Sequence, residues 1–205
     1  LHEIASEKAG IIKPNTSLIT HSDHPNDVQT VLMDTASQQQ TTVYLTQPHE
    51  SFINRNKALA TTALNTMFPT SSFDSIVASC PLPFGRLSPI TIHDQPCWMD
   101  VGHNISAVKA VFDTLSNPRP SHWILGMQTK KDPIAVIEWL LSNHQQVSFC
   151  EFDPTIGMSF SALPQSLQDR ITPWTLHDPV QPNTIFFGSF LCSASVYIVS
   201  LGTLI

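Results

Sequence analysis

Glycine is scarce, and it is badly placed for one familiar task. The seven glycines stand at positions 10, 85, 102, 126, 157, 188 and 202. No pair has the spacing of G-x-x-x-x-G-K-[ST] or of G-x-G-x-x-G, the loops whose backbone amides cradle phosphates. If the chain handles ATP, the loop that grips the triphosphate lies elsewhere. Cations are few as well: 10 Lys and Arg against 16 Asp and Glu give a formal charge of -6. A nucleic-acid surface needs clustered basic side chains, so no nucleic-acid partner is expected. A small anion needs only a few amides and one or two cations. The 4 cysteines, Cys80, Cys97, Cys150 and Cys192, are scattered without a C-x-x-C pair. Buried reduced thiols in a cytoplasmic protein are therefore expected, not a zinc site or a disulfide framework. No charged-then-apolar leader opens the chain, and no run approaches the ~18 apolar residues of a membrane span. The apolar tail 184–205 is interrupted by Gly188, Ser189, Ser193 and Ser195 and reads as a buried strand and helix.

What is present is a chain of 205 residues, enough for a real core in one large or two small domains. It opens on Leu1, and its first residues read as the middle of something longer. Residues 1–8 have helical spacing through Leu1, Ile4 and Ala5, ending at Gly10 and Pro14. A short strand is expected at 17–20, an amphipathic helix at 25–36 through Val28, Val31, Leu32 and Thr35, and a strand at 42–46 through Val43, Tyr44 and Leu45. A second helix over 54–67 turns Ala58, Leu59, Ala63, Leu64 and Met67 inward. His21 and His24 stand in a polar loop without a third ligand and read as surface histidines. Residues 69–89 carry Pro69, Pro81, Pro83 and Pro89 among serines, the best domain boundary in the chain. Beyond it, strands at 98–100, 123–126, 147–151 and 185–188 alternate with helices at 106–115, 133–141, 161–170 and 193–201. That alternation indicates βαβ units around a mostly parallel sheet, an α/β fold.

The stretch that organises this pattern is Pro96-Cys97-Trp98-Met99-Asp100-Val101-Gly102-His103-Asn104. An apolar run ending in an acid, then a glycine, then polar residues opening a helix, places side chains at the carboxyl end of a strand, where α/β folds bind ligands. Asp100, His103 and Asn104 would line a crevice, Gly102 would let the backbone approach a ligand, and the helix start would attract a phosphate. The same pattern arises at any strand-to-helix turn, where an Asp or His serves as a cap.

Glu7-Lys8-Ala9-Gly10-Ile11-Ile12-Lys13-Pro14 resembles the E-K-A-G-I-I-K-P stretch of the folylpolyglutamate synthase and dihydrofolate synthase family, within the Mur ligase superfamily. Further signals follow in the family's order: Asn56-Lys57-Ala58-Leu59-Ala60, Gly85-Arg86-Leu87, Asp100-Val101-Gly102-His103-Asn104, Gly126-Met127 leading to Lys130-Lys131-Asp132, and Phe187-Gly188-Ser189-Phe190. The resemblance spans nearly the whole chain but only the later part of a family member. It implies that residues 1–84 are the trailing part of a P-loop-type central ATPase domain and 85–205 a Rossmann-like Mur ligase C-terminal domain. It also implies a fragment without the P-loop, inactive as a ligase by itself.

The resemblance implies ATP and Mg²⁺ as cofactors, and L-glutamate with dihydropteroate or a folate as substrates of a cytoplasmic, membrane-free monomer. A carboxylate attacks the γ-phosphate to give an acyl phosphate; the glutamate amine then expels phosphate through a tetrahedral intermediate. Lys8 matches a lysine that is carbamylated in many Mur-type ligases, which would make it an anionic oxygen ligand suited to Mg²⁺ and part of the catalytic set. Asn56 matches an asparagine near the adenine. Arg86 matches the linker arginine that reaches the ATP phosphates, a task for its planar fork, although Phe84 stands where the family has proline. Asp100 would accept from ribose hydroxyls. His103, the catalytic candidate, and Asn104 would face the phosphates or the acyl phosphate. Val101-Gly102 replace a common Gly-Ala. Lys131 and Asp132 would form part of the glutamate side of the cleft or cap a helix. The alternatives are a Mur-type peptidoglycan-precursor ligase and a non-catalytic truncated binding module.

Overall fold

The computed structural model describes residues 1–115, 119–120 and 122–188. The chain divides into two compact units, Leu1–Pro81 and a second beginning at Leu82. The helix expected over 193–201, Cys192 and residues 189–190 lie outside the described residues.

The first unit begins with α1 (His2–Ala9), whose Ala5 and Ala9 are buried. β1 (Ser17–His21), α2 (Asn26–Gln38) and β2 (Thr42–Thr46) make a βαβ unit, its strands parallel in the register Ser17↔Thr42 to His21↔Thr46. α3 (Phe52–Met67) follows; its N-cap Ser51 accepts from the Ile53 amide at 3.2 Å. α4 (Asp74–Ser79) was not foreseen, because prolines and serines flank it. Val77 anchors it by burial, and Lys57 donates to the Ala78 carbonyl at 2.6 Å. His21 is not a surface histidine. It ends β1 only 8% exposed, its Nδ1 2.7 Å from Thr46 Oγ1 on the paired strand, and desolvation with the nearby Arg55 charge lowers its pKa. Cys80 likewise departs from the expectation of buried thiols: it is exposed, while Cys97 and Cys150 are buried.

The second unit is built on a six-stranded sheet ordered β3-β4-β8-β5-β6-β7. Its strands are β3 (Ser88–Ile92), β4 (Gln95–Asp100), β5 (His122–Gly126), β6 (Gln146–Cys150), β7 (Thr172–Trp174) and β8 (Ile185–Gly188). Every pairing is parallel except the hairpin β3–β4. α5 (Ile105–Thr114) links β4 to β5, and α6 (Pro133–Ser142) links β5 to β6. β5 is buried throughout, as a parallel strand covered on both faces must be. Trp123 belongs to the side that packs on the helices, where Phe112 meets it at a 6.5 Å centroid distance and meets Trp139 edge-on at 5.2 Å. Ile124 and Phe186 alternate to the other side, into a cluster with Ile90, Ile92, Cys97, Met99, Cys150, Trp174 and Val180. The helix expected over 161–170 is broken. Pro164 holds Leu163 extended, as a proline does to the residue before it, leaving a 3-10 turn at Phe160–Ala162 and a one-turn α7 (Gln165–Gln168). Among the described residues, no helix is long and apolar enough to cross a membrane.

A polar seam runs through the start of the sheet. His122 Nε2 lies 2.9 Å from Ser148 Oγ, which lies 2.9 Å from Thr172 Oγ1. Burial lowers the His122 pKa, so between that value and the ordinary ~6.5 the unfolded chain holds a proton that the folded chain does not. His122 therefore contributes fully above about pH 6.5, and its contribution is lost as the pH falls through the folded-state value. In urea titrations from pH 7.5 to 5, wild type should lose stability relative to His122→Gln by up to about 1.4 kcal/mol per pH unit; parallel curves would show that His122 does not titrate differently on folding.

Candidate functional site

Parallel strands deliver their carboxyl ends to one edge of a sheet, and at that edge of the second unit Asp100 closes β4. The side chain is nearly inaccessible, at 3% exposure, yet its carboxylate is not idle. Oδ1 accepts from the Gly102 amide at 2.7 Å, and Oδ2 accepts from the Leu87 amide at 3.1 Å. Burial raises the Asp100 pKa, the two amides and the Arg86 charge opposing it. The net direction means that desolvation outweighs those partners, so the ionised carboxylate is kept at some cost to stability.

The residues before β3 are locked onto the same strand end. Val101 N–H donates to the Gly85 carbonyl at 2.8 Å, and Gly85 N–H donates to Ser88 Oγ at 2.9 Å. Gly85 takes φ +83°, and a Cβ there would stand 2.8 Å from Val101 Cγ1, so glycine is needed for both shape and space. Leu87, with no such freedom, sits at φ 45° and is 7% exposed. A leucine in the left-handed region carries strain of about 1–3 kcal/mol, sustained only where the surroundings hold it. Between Gly85 and Leu87, the Arg86 guanidinium lies 3.9 Å from Asp100 Oδ1 with its side chain 47% exposed. The structure thus brings Arg86, Asp100 and the turn carrying His103 and Asn104 together.

Within that turn, His103 is half-buried, and its Nδ1 is 3.4 Å from the Val101 carbonyl, a long contact. Asn104 is exposed and caps α5, its Oδ1 accepting from the Ala107 amide at 2.9 Å. Asp132 does the same for α6 through the Ala135 amide at 3.1 Å, with Pro133 at the first helical position; it is a cap, as one reading of that residue held. Gly102 does not open the backbone to a ligand. A Cβ there would lie 2.6 Å from the Phe187 ring and 2.8 Å from Ala107 Cβ, so the glycine admits β8 and α5 packing instead.

Lys8 and Asn56 belong to the first unit. Lys8 is in the last turn of α1 with Nζ 3.1 Å from Glu7 Oε1, both side chains largely in solvent, a pairing of neighbours that contributes little. The Lys8 amine is reachable from solvent, and the Glu7 carboxylate beside it is the one oxygen donor the pair presents as it stands, so a divalent ion here would need further ligands. Among the described residues, no group of three or more His, Cys, Asp or Glu side chains is placed to hold a metal ion. Asn56 is exposed on α3, where Arg55 makes a bidentate pair with Asp23 and the Arg55 Nη2–Asp23 Oδ1 distance is 2.9 Å. No sequence signal revealed the Leu87 amide as a partner of Asp100 or the left-handed Leu87; both depend on how 84–88 crosses 100–102.

The capping role of Asn104 has a direct consequence. Asn104→Ala should lower the unfolding free energy by about 1 kcal/mol and Asn104→Asp should restore it, read by denaturant melts; equal stability of all three would remove the cap. Gly102→Ala should cost more, about 1–3 kcal/mol, by pressing on the Phe187 ring.

No family model and no curated protein matches the chain. Solved structures do. A Mycobacterium tuberculosis folylpolyglutamate synthase complexed with ADP and AMPPCP superposes with a TM-score of 0.77 at 16% identity, over 96% of this chain and 59% of that one. The folylpolyglutamate synthase of Thermotoga maritima gives 0.70 at 15% identity, over 98% of this chain and 58% of the other. A bifunctional folylpolyglutamate synthase/dihydrofolate synthase with Mn, AMPPNP and L-glutamate bound gives 0.74 at 17% identity, over 97% of this chain and 57% of the other. The chain thus spans less than two thirds of each of these proteins, and across that span it has the α/β fold of the folylpolyglutamate synthases.

Proposed function

We propose that these residues form the later part of an ATP-dependent ligase that adds L-glutamate to dihydropteroate or a folate through an acyl phosphate, working as a cytoplasmic monomer. Residues 1–84 would be the trailing part of its central ATPase domain and 85–205 its C-terminal domain. The observation that carries the reading is the cluster at the carboxyl end of β4: an arginine held 3.9 Å from a buried aspartate, beside a turn bearing His103 and Asn104, in a chain with the folylpolyglutamate synthase fold. The E-K-A-G-I-I-K-P motif favours a folate acceptor over a peptidoglycan precursor.

The chemistry asks for charge neutralisation on a phosphoryl group while two anionic substrates are held together. Arg86 is suited to phosphate oxygens, since its backbone is anchored by bonds to Pro83 and through Gly85 and Leu87 while its side chain is half open to solvent. His103, half-buried in the turn, is the group to face the acyl phosphate. Asn104 keeps α5 capped, so the amides of its first turn stay directed at the same edge. Lys8, carbamylated, would be one oxygen ligand of Mg²⁺, which when bound would polarise phosphate oxygens. Asn56 would contact the base. The neighbours' complexes with ADP, AMPPCP, AMPPNP, Mn and L-glutamate support a nucleotide, a divalent metal and glutamate as ligands of such a fold. The phosphate-gripping loop would be supplied by residues other than these 205.

Ligation of labelled glutamate to dihydropteroate and, separately, to tetrahydrofolate tests the reading in the whole protein. Incorporation should require ATP and fall by about two orders of magnitude or more in His103→Ala, and the 205 residues alone should give none. Turnover by those residues alone would overturn the division of labour. No incorporation into either acceptor by the well-folded whole protein would overturn the ligase reading.

A further inference from the structure

In the first unit, β1 is paired on one side only, because its sheet has just the two strands β1 and β2. We propose that the outer edge of β1 is an interaction surface for a further strand: an extended, apolar segment running parallel to β1 and supplied by the remainder of the whole protein, outside these 205 residues.

The hydrogen bonds already made define that edge. Just beyond β1, Ser22 N–H donates to the Thr46 carbonyl at 3.1 Å. Amides of alternate residues in a strand face the same neighbour, so in the register Leu18↔Val43 and Thr20↔Leu45 the Leu18 and Thr20 amides also face β2. The Ile19 and His21 amides face away, and neither meets an acceptor among the described residues. Ser17–His21 contains no lysine, proline or bulge, the devices that keep an edge from pairing.

Space for a strand lies alongside. A groove of about 480 Å³ touches Ser17, Leu18 and Ile19 in succession, with Ile11, Leu59 and Ala63 in its other walls. Consecutive side chains point to opposite faces of a strand, so a groove touching three in a row follows the edge and not one face. Its aliphatic walls suit the alternate side chains of an added strand, whose backbone would meet the Ile19 and His21 amides. The same open space accounts for α3, which lines the groove through Leu59 and Ala63 and has no buried residue, and for Ile11, 79% exposed. The direction follows from β1 and β2, which are parallel; a parallel sheet is ordinarily buried on both faces, and two strands are too few to stand alone. The source has the length required: the shared span covers 59% of the Mycobacterium tuberculosis protein, leaving about two-fifths of it to supply strands. A parallel strand here ends beside His21, so the loop after it is delivered to the carboxyl edge, where α/β sheets bind ligands.

The inference rests on the ligase reading only for the source of the strand, and hydrogen exchange separates the two. In the whole protein, the Ile19 amide should exchange at least about ten-fold more slowly than in the 205 residues alone, while the Thr20 amide, paired in both, is slow in both. Equal Ile19 rates would overturn the proposal, as would protection gained at Val43 and Leu45, the outward amides of β2, in its place. Ala63→Phe fills the groove without touching the β1–β2 ladder and should return Ile19 in the whole protein to the fast rate. A slow Ile19 in a folded variant would overturn the groove as the seat; if the variant does not fold, the wild-type comparison decides. Protection of Ile19 in the 205 residues alone that fades on dilution would make a second copy the occupant and overturn the proposal too. A slow Ile19 in a whole protein that ligates no glutamate counts against the ligase reading alone, and a fast Ile19 in one that does ligate it counts against the strand alone.

Discussion

The carboxylate of Asp100 is removed from water and receives two backbone N–H groups in its place, and the arrangement of the second unit's working edge depends on that exchange. Without those acceptors, two buried amides would be unpaired, each at a cost of about 1–3 kcal/mol. The strained Leu87 would also lose the contact that holds it. The crossing of 85–88 over 100–102 is therefore a junction fixed from both sides, by Asp100 to Leu87 and by Val101 to Gly85. Arg86 stands on one segment of this junction, His103 and Asn104 on the other.

The sheet supplies the rigid ground for the junction. β8 runs between β4 and β5 in the middle of the order, parallel to both, so the last described strand closes the core against which the β4 turn is set. Phe187 on β8 reaches under Gly102, where a Cβ would collide with its ring, and meets Trp123 edge-on at a 5.9 Å centroid distance. The turn thus sits on a packed aromatic pair, and its position is tied to the interior and not to the loop. Asn104 then sets the direction of α5 from its first turn. In the first unit the same strand-helix-strand logic produces the parallel pair β1–β2, with His21 and Thr46 joined at its carboxyl end.

Much of this was legible in the residues. The elements α2, α3, β5, α6 and β6 fall within a residue or two of where spacing put them, but α3 does not turn its apolar side inward as expected: none of its residues is buried, and Met67 is 68% exposed. Readings failed where a local residue overruled the pattern or where a partner was far away in sequence. Pro164 split a segment that had helical spacing. β3 was hidden by Pro89, yet β3 is an edge strand, where a missing N–H is tolerated. Its hairpin turn uses His93 and Asp94, both at positive φ, in place of the glycine that would have announced it. His21 looked like a loop residue because its burial comes from Thr46 on another strand. Asp100, His103 and Asn104 are singled out by the strand-to-helix pattern and Arg86 by the family motif, and the structure brings them to one strand end. Their division of labour was not legible, since the Leu87 amide and the Phe187 ring enter the turn from residues 13 and 85 positions away from Asp100 and Gly102, differences read from their numbering.

The chemical core of the account is a carboxylate activated by phosphorylation, and oxygen transfer tests it most directly. With an acceptor whose carboxylate carries ¹⁸O, the attacking oxygen becomes the bridge of the acyl phosphate and leaves with phosphorus when the amine displaces it. The account predicts that the whole protein, given ATP and L-glutamate, releases inorganic phosphate carrying a single ¹⁸O, seen as an isotope-shifted ³¹P resonance. Phosphate released without the label, while an amide is formed, would contradict activation of the carboxylate by phosphoryl transfer and with it the role assigned to the Arg86–Asp100 junction.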